Sequence, residues 1–233
     1  PIKGLDKRGF IVSDYGQGFH PDKVLAQLKS VGECLERLCL FNPVENNLED
    51  SAPKNKVVDP TLFCVYSDEQ IDRERFFSRL RAEKYTFTKT INLSNDSEIF
   101  IPSQLVYLSS NFDSEISIRG ERISTGAACG QRGTAHALMN GFFEVVERDS
   151  WIYSYLTQRK MKRVVNLSDD LKKLEDYLRR YNLETNIFDI TSELGIPSIT
   201  CFTIDGTGIG DAVNIGAKSC TNYHDAIEGA VLE

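Results

Sequence analysis

Residues 126–148 read GAACGQRGTAHALMNGFFEVVER, a glycine-led loop followed by an apolar run that carries two glutamates and an arginine. The apolar residues recur with helical spacing, and we predict a helix over Thr134–Thr157. Because positions i, i+3 and i+4 share one helix face, Glu144, Glu147 and Arg148 should project together. The stretch therefore predicts a face of two carboxylates and one guanidinium behind a glycine loop.

The loop-and-helix pattern occurs three times along the chain. Gly16–Gly18 leads to Glu33, and Gly216–Lys218 leads to Glu233, so with the copy from Gly126 to Glu144 the glycine-to-glutamate separations are 17, 18 and 17 residues. A period of roughly 90 to 110 residues is too long for a solenoid and indicates related subdomains around one centre. We place the approximate repeats at residues 10–83, 120–160 and 186–233.

The first two copies share the pattern Glu-x-x-Glu-Arg, and together they supply four acids and two arginines. Converging carboxylates need a hard cation such as Mg²⁺, whereas arginine binds phosphate oxygens in a two-point fashion. We expect both helices to be buried, because leucines flank the first copy and Phe and Val the second. The alternative is a set of structural salt bridges. The candidate metal ligands are Glu33, Glu36, Glu144 and Glu147, supported by Arg37 and Arg148.

The rest of the chain alternates short apolar runs with helical patterns, which is typical of an α/β (α+β) protein. A Ser67–Gln70 capping pattern precedes the second predicted helix, and Pro21 suits the first turn of the first. The predicted strands are Thr61–Tyr66, Thr86–Leu93, Asn186–Ile190, Ser198–Ile204 and Ala212–Ile215. The predicted helices are Pro21–Leu40, Asp68–Glu83, Thr134–Thr157, Asp169–Arg180 and one from Tyr223 onward.

The composition favours a globular cytoplasmic protein. The 233 residues carry a net charge of −7, which argues against a nucleic-acid partner because phosphate backbones are bound by clustered Lys and Arg. No apolar run is long enough to cross a membrane, and six cysteines without a CxxC pair indicate reduced thiols. No P-loop motif is present. The missing initiator Met and an end within a predicted helix indicate a domain over 1–233 that is incomplete at its C-terminus.

Several segments resemble the signatures of the YcaO family. Residues 123–130, continuing to 141–151, are similar to "STG-A-C-G … GLLE-ERDA", and Gly16–Gly18 with residues 33–37 is similar to "GKG … E-ER". Residues 101–107 resemble "VPA-LVYL", residues 188–197 resemble "DLT-D-GIP", and residues 226–233 resemble the start of "AL-RAL-E--Q-R". The similarity spans nearly the whole chain and is greatest to cyclodehydratases of thiazole and oxazole peptide biosynthesis.

This resemblance implies a YcaO-type fold of related subdomains, each a sheet with helices, packed around a central nucleotide site. It implies ATP and Mg²⁺ as cofactors, a precursor peptide as substrate and a leader-peptide-binding partner protein, with homo-oligomerisation a further possibility. A Cys, Ser or Thr side chain of the peptide would attack the preceding carbonyl, ATP would phosphorylate the resulting oxygen, and loss of phosphate would leave an azoline. Relatives that use external sulfide make a thioamide instead.

The chain also departs from the family motifs. The serine of the first motif falls on Lys29, and the lysine of "GKG" is Gln17. With a one-residue insertion, the second motif, Ser-x6-Glu-x3-Gln, falls near Ala128, Gln131 or Arg132, His136 and Asn140, so a histidine stands where an acid is expected. We include Gln17, Lys29, Gln131, His136 and Asn140 in the nucleotide site and leave the catalytic residue unassigned. The departures keep open a degenerate chain that binds a peptide or partner without turnover.

Overall fold

The computed structural model of the chain describes residues 2–5, 11–14, 16–120 and 132–233. The chain divides into two compact units. Unit 1 comprises residues 1–17 and 29–124, and unit 2 comprises residues 18–28 and 125–233.

Unit 1 contains two antiparallel sheets. In the first, β1 (Ile2–Leu5) pairs with β2 (Ile11–Asp14), and α1 (Lys23–Phe41) follows, beginning in unit 2 and ending in unit 1. The second sheet consists of β3 (Leu48–Glu49), β4 (Phe87–Asn92) and β5 (Ser97–Pro102), in the order β3-β4-β5. The connection from β3 to β4 contains a 3-10 helix at Pro60–Phe63 and the helix α2 (Arg73–Ala82).

Aspartates start both helices of this part of the chain. The Asp22 carboxylate accepts the N–H groups of Val24 and Leu25 at 2.8 and 3.0 Å, and Asp72 accepts that of Arg75 at 3.1 Å. Such bonds satisfy donors that the first helical turn leaves unpaired. The apolar side of α2 contributes to the core of unit 1. This core is formed by Leu80, Tyr85 and Ile118, with Phe63, Phe76, Phe77, Phe87, Leu105 and Ile116 packed against them.

Unit 2 is built on one four-stranded antiparallel sheet in the order β6-β7-β8-β9. Its core contains Ile187, Ile199 and Cys201 of the sheet together with Leu171, Ala226, Ile227 and Ala230 of two helices. Along β8, Ser198 and Thr200 point away from Ile199 and Cys201, and they are fully buried as well. The elements are α3 (Thr134–Thr157), β6 (Lys162–Arg163), α4 (Asp169–Arg179), β7 (Leu183–Asp189), β8 (Ser198–Asp205), β9 (Val213–Ser219) and α5 (Tyr223–Leu232).

The observed elements confirm most of the predicted ones and contradict one. All five helices and the strands at β4, β7, β8 and β9 are present, and α3 has the predicted bounds. The strand predicted at Thr61–Tyr66 is wrong, because Asp59 accepts the N–H of Thr61 at 3.0 Å and Pro60 suits the first turn of a 3-10 helix. Strands β1, β2, β3, β5 and β6 were not predicted. The strand pairings within the named sheets are antiparallel, so the class is α+β.

The predicted start of α2 is also corrected. The Ser67 N–H does donate to Gln70 Oε1 at 2.9 Å, but this bond closes a turn that lies before the helix. The helix begins only at Arg73, since Asp72 provides the cap. Similarly, Pro21 precedes the capping Asp22 rather than standing in the first turn of α1.

Within the described residues, no helix combines the length and the apolar character that crossing a membrane requires.

Candidate functional site

The first copy of the repeated pattern lies in unit 1, where the loop before α1 folds against the helix. Arg37 Nη2 lies 3.1 Å from Glu33 Oε1, four residues away on the same helix face. The other carboxylate oxygen, Glu33 Oε2, accepts the backbone N–H of Gln17. Glu33 therefore joins the glycine loop to the helix while its arginine partner keeps 39% of its side chain exposed.

The loop can reach the helix because Gly16 has no side chain. A Cβ at Gly16 would lie 1.8 Å from the carbonyl oxygen of Ser30 and 2.8 Å from the amide nitrogen of Cys34. Ser30 Oγ donates to the Gly16 carbonyl at 2.7 Å, and the Gly16 N–H points at Cys34 Sγ at 2.8 Å. Only glycine permits this approach, which holds the Gln17 amide in place beside Glu33.

The second copy lies in unit 2 on α3. Arg148 donates from both Nε and Nη2 to Glu144 Oε1, at 2.9 and 2.6 Å. This pair is exposed on the arginine side, at 51% of the side chain. An exposed i,i+4 ion pair stabilises a helix by only about 0.5 kcal/mol, so a phosphate or a metal ion could replace either partner at little cost.

Glu147 occupies a more enclosed position on the same helix. Its Oε2 accepts the backbone N–H of Ser219, at 3.1 Å, from the edge strand β9. The pKa of Glu147 is raised to about 7, first by burial and then by the neighbouring carboxylates of Glu233 and Glu144, against the opposing effects of Lys218 and of the Ser219 N–H. An approaching cation would relieve this repulsion and favour the ionised form.

The third copy of the pattern lies on β9 and α5 and adds Lys218 and Glu233 to the charged residues of unit 2. Lys218 Nζ lies 2.7 Å from Glu233 Oε1, so strand β9 and helix α5 are joined by an ion pair. Gly216 approaches α5 as Gly16 approaches α1, since a Cβ there would lie 2.2 Å from the Ala230 carbonyl oxygen. In each case the glycine meets the carbonyl fourteen residues further along the chain. The first and third copies thus share the same loop-to-helix contact.

The donor chemistry of these positions suits Mg²⁺, which prefers carboxylate oxygens. Among the described residues, however, no three His, Cys, Asp or Glu side chains come together in a way that would hold a metal ion. Instead, Glu33, Glu144 and Glu233 each bond to a cation of the protein. Mg²⁺ is usually held by one or two carboxylates plus water and substrate phosphates, and this arrangement is compatible with that mode of binding.

The other predicted site residues are placed as follows. Lys29 is exposed, while Glu36, His136 and Asn140 are half-buried. The His136 Nδ1 atom is buried and has no hydrogen-bond partner within the part of the chain that the structure describes. Gln131 and the loop Gly126–Gly130 lie outside the described residues.

The expectation that both helices are buried is wrong for α1. Every residue of α1 is described, and none is buried; Leu35 keeps 45% of its surface. Helix α3 is buried along one side only, through Gly141, Val146, Ser150 and Ser154, while Phe142 and Val145 are exposed. The apolar residues that flank the acids are therefore not evidence that the acids are enclosed.

Sequence reasoning missed several residues that contact the predicted ones. The family motif directed attention to Lys29, but the adjacent Ser30 makes the contact with the loop. Glu233 ends the third repeat, so the repeat itself is a signal for it, but the predicted site does not contain this residue. Lys218 and Ser219 had no such signal, because their contacts join a strand to helices distant in sequence.

A comparison with known families decides the relationship. The family model described as YcaO cyclodehydratase, ATP- and Mg²⁺-binding, matches residues 15–233. The chain belongs to the YcaO family. A search among curated proteins returned no match for this YcaO chain.

Solved structures show the same fold. A heterocyclase in complex with substrate and cofactor is 16% identical with a TM-score of 0.78, over 92% of this YcaO chain and 31% of its own. YcaO from Methanopyrus kandleri, bound with AMPPCP and Mg²⁺, is 18% identical with a TM-score of 0.70, over 99% and 56%. The E. coli microcin synthetase McbBCD complex with pro-MccB17 bound is 14% identical with a TM-score of 0.70, over 93% and 56%.

These likenesses confirm the predicted YcaO-type fold. The chain spans between 31% and 56% of the length of these solved relatives. The activity, substrates and partners of the whole protein are therefore matters for proposal.

Proposed function

We propose that the chain binds ATP with Mg²⁺ and activates a peptide backbone amide, so that Cys, Ser or Thr residues of a ribosomally made peptide become azolines. The observation that carries the proposal is the match of the YcaO cyclodehydratase model to residues 15–233. The cytoplasm is the expected compartment, because ATP and a newly made precursor peptide are both available there.

The acids and arginines of the first two copies have distinct roles in this proposal. Glu33, Glu36, Glu144 and Glu147 serve as Mg²⁺ ligands, while Arg37 and Arg148 turn to the phosphates. The backbone N–H of Gln17 already donates to Glu33, which supports a role for this loop at the nucleotide. Lys29, Gln131, His136 and Asn140 complete the proposed set of nucleotide contacts.

The proposed reaction consumes one ATP for each ring. The side-chain sulfur or oxygen attacks the carbonyl carbon of the preceding residue, and its proton passes to a base. The resulting oxyanion accepts the γ-phosphoryl group of ATP, and ADP departs. Expulsion of phosphate with that oxygen, together with loss of the amide N–H proton, forms the carbon–nitrogen double bond of the azoline.

The proposed partners are a precursor peptide and a protein that binds its leader segment. The McbBCD relative is a complex of several chains with pro-MccB17 bound, which supports an assembly of this kind. Homo-oligomerisation is compatible with the proposal as well.

The first test is calorimetric titration of ATP in the presence of Mg²⁺. A Glu33→Ala plus Glu144→Ala double variant should lose most of the ATP affinity, because each change removes a candidate metal ligand together with its ion pair to an arginine. Glu74→Ala plus Glu193→Ala is the matched control, since both residues are exposed and lie outside the three glycine-to-glutamate segments 16–33, 126–144 and 216–233. Unchanged ATP affinity in the first double variant would rule out the proposed residues.

The second test follows the peptide by mass spectrometry in the presence of ATP, with ADP and phosphate measured together. Cyclodehydration removes the elements of one water per ring, with one ADP and one phosphate formed. Thioamidation would instead replace an oxygen by sulfur and depend on added sulfide. Peptide modification without ADP formation would contradict the proposal.

A non-catalytic YcaO chain is the second candidate, and His136 favours it. A histidine in place of an acid removes one anionic ligand, and its Nδ1 has no partner among the described residues. A chain of this kind would bind peptide or partner protein and release no ADP. The two experiments above separate it from an active cyclodehydratase.

A further inference from the structure

A lysine lies among three carboxylates in unit 2. Lys218 Nζ contacts Glu233 Oε1 at 2.7 Å, and Glu147 accepts the N–H of the next residue, Ser219, at 3.1 Å. Burial alone would lower the pKa of Lys218, but Glu233, Glu147 and Glu144 together raise it above its ordinary value. The ammonium is therefore charged; it pairs with Glu233, while the charges of Glu147 and Glu144 favour the same protonated form.

The glutamate of the third copy pairs with a basic side chain from a different kind of position than the glutamates of the first two copies. Glu33 and Glu144 are paired with arginines four residues further along their own helices, Arg37 and Arg148. The partner of Glu233 comes instead from strand β9, fifteen residues earlier in the chain. A cation on a strand is positioned by the sheet register and not by helical spacing.

Gly229 of α5 provides the space for this lysine. A Cβ at Gly229 would lie 2.5 Å from Lys218 Cγ and 3.0 Å from both Cβ and Cδ. Glycine inside a helix costs about 1 kcal/mol relative to alanine. The glycine at this position of α5 leaves room for the aliphatic stem of Lys218 to lie directly on the helix backbone. The stem is thereby fixed, and so is the direction in which the ammonium points.

Two consecutive residues of β9 thus hold two carboxylates at once. Lys218 holds Glu233 with its ammonium, and Ser219 holds Glu147 with its backbone N–H. Because the register of β9 against β8 places Lys218 opposite Ile199 and Ser219 opposite Ser198, both contacts are set by the same strand pairing.

We propose that Lys218, seated on Gly229, is a positioning residue of the nucleotide site that holds Glu233 beside Glu147 and Glu144 and offsets part of the charge that a divalent cation would otherwise neutralise. This inference rests on the proposed function. Its consequence is that the lysine weakens metal binding in the absence of nucleotide and keeps the acidic cluster ordered until Mg²⁺ arrives with ATP. Removal of the ammonium should therefore strengthen binding of the metal alone.

The test measures Mn²⁺ binding to the nucleotide-free chain, by the electron paramagnetic resonance signal of free Mn²⁺. Lys218→Met keeps a stem of similar length without the charge, and we expect Mn²⁺ to bind about fivefold more tightly, as for a divalent cation about 8 Å from the lost unit charge at the dielectric of water. Lys218→Arg should restore the wild-type affinity. Lys173→Met is the matched control, because Lys173 pairs with Asp170 on α4 of the same unit.

Gly229→Ala provides a second approach if Lys218→Met folds poorly. The added methyl group displaces the lysine stem and keeps its charge, so Mn²⁺ affinity should rise by less than in Lys218→Met. Circular dichroism verifies the fold of each variant.

Unchanged Mn²⁺ affinity in both variants, or no saturable Mn²⁺ binding in any of them, would overturn the inference. A lower ATP affinity in Lys218→Met with unchanged Mn²⁺ affinity would overturn it too, because the lysine would then contact a phosphate. Failure of the proposed function itself would be evident separately, as absent ATP binding in the wild-type chain.

Discussion

At the scale of single residues, Glu147 shows how burial changes a carboxyl group. The pKa of Glu147 is raised from 4.5 to about 7, first by burial and then by Glu233 and Glu144. The folded chain therefore binds this proton more tightly than the unfolded chain. Stability is highest while the proton is bound and falls as the pH rises from about 4.5 to about 7.

The first prediction is that the Mg²⁺-free protein loses thermal stability over this pH range because Glu147 must ionise. Glu147→Gln keeps an acceptor for the Ser219 N–H and cannot ionise, so its Tm should depend less on pH. Differential scanning calorimetry at pH values from about 5 to about 8, which cover most of the range between the two pKa values and extend beyond it, measures the Tm of both proteins. Parallel Tm curves for the two proteins would contradict the shifted pKa, and exposed Glu193→Gln is the control.

The second prediction concerns His136, which lies eight residues before Glu144 and hence roughly 80° around α3 and about 12 Å along it. If His136 replaces a metal-ligating acid, His136→Glu should strengthen Mg²⁺-dependent ATP binding, because one more carboxylate is available. A histidine outside the site would make the change nearly silent, within about 0.5 kcal/mol. ATP affinity measured across a Mg²⁺ titration decides, and identical curves would remove His136 from the site.

At the scale of elements, helices were predicted better than the contacts between them. The bounds of α3 follow from one uninterrupted apolar period between Thr134 and Thr157, which is information local to the sequence. The predicted strand at Thr61–Tyr66 failed because Asp59 and Pro60 impose a 3-10 turn on an apolar run that otherwise suits a strand. The partners of Glu147 and Glu233 lie on β9, and no local pattern specifies them.

The third prediction tests the contact between the first glycine loop and α1. Gly16→Ala should lower the free energy of unfolding by about 1 to 3 kcal/mol, because its methyl group overlaps the Ser30 carbonyl. Gly32→Ala is the matched control within α1, where an added Cβ meets nothing within 4 Å. It should stabilise the helix by up to about 1 kcal/mol. Chemical denaturation of both variants measures the difference, and equal stabilities would show that the loop does not pack as described.

At the scale of the whole molecule, the family signatures sufficed to predict the family, and the apolar patterns sufficed to predict a mixed helix and strand fold, while the antiparallel pairing that makes it α+β is known only from the structure. The residues that make the first and third copies alike are Gly16 and Gly216, each of which approaches a helix carbonyl. Sequence spacing located these glycines correctly. It could not show that Glu233 pairs with Lys218 of a strand, because this pairing depends on how a sheet and two helices pack.

The fourth prediction is that nucleotide binding stabilises the whole chain. A ligand present at 100 times its Kd adds about 2.7 kcal/mol to the free energy of unfolding. For a chain of this size the Tm should rise by roughly 5 to 10 °C with ATP and Mg²⁺ together. The rise should vanish on addition of EDTA, and in Glu33→Ala plus Glu144→Ala. An equal rise with ATP in the presence of EDTA would contradict a requirement for the metal.

The bond from Ser219 to Glu147 also affects how unit 2 can meet other extended chains. β9 is the edge strand of its sheet, and an edge strand offers backbone N–H groups with which another strand can pair. At Ser219 that donor is already occupied, and an incoming strand would leave the Glu147 carboxylate without it. Strand addition at this residue would break the bond from Ser219 to Glu147, which disfavours edge-to-edge pairing at this point of β9.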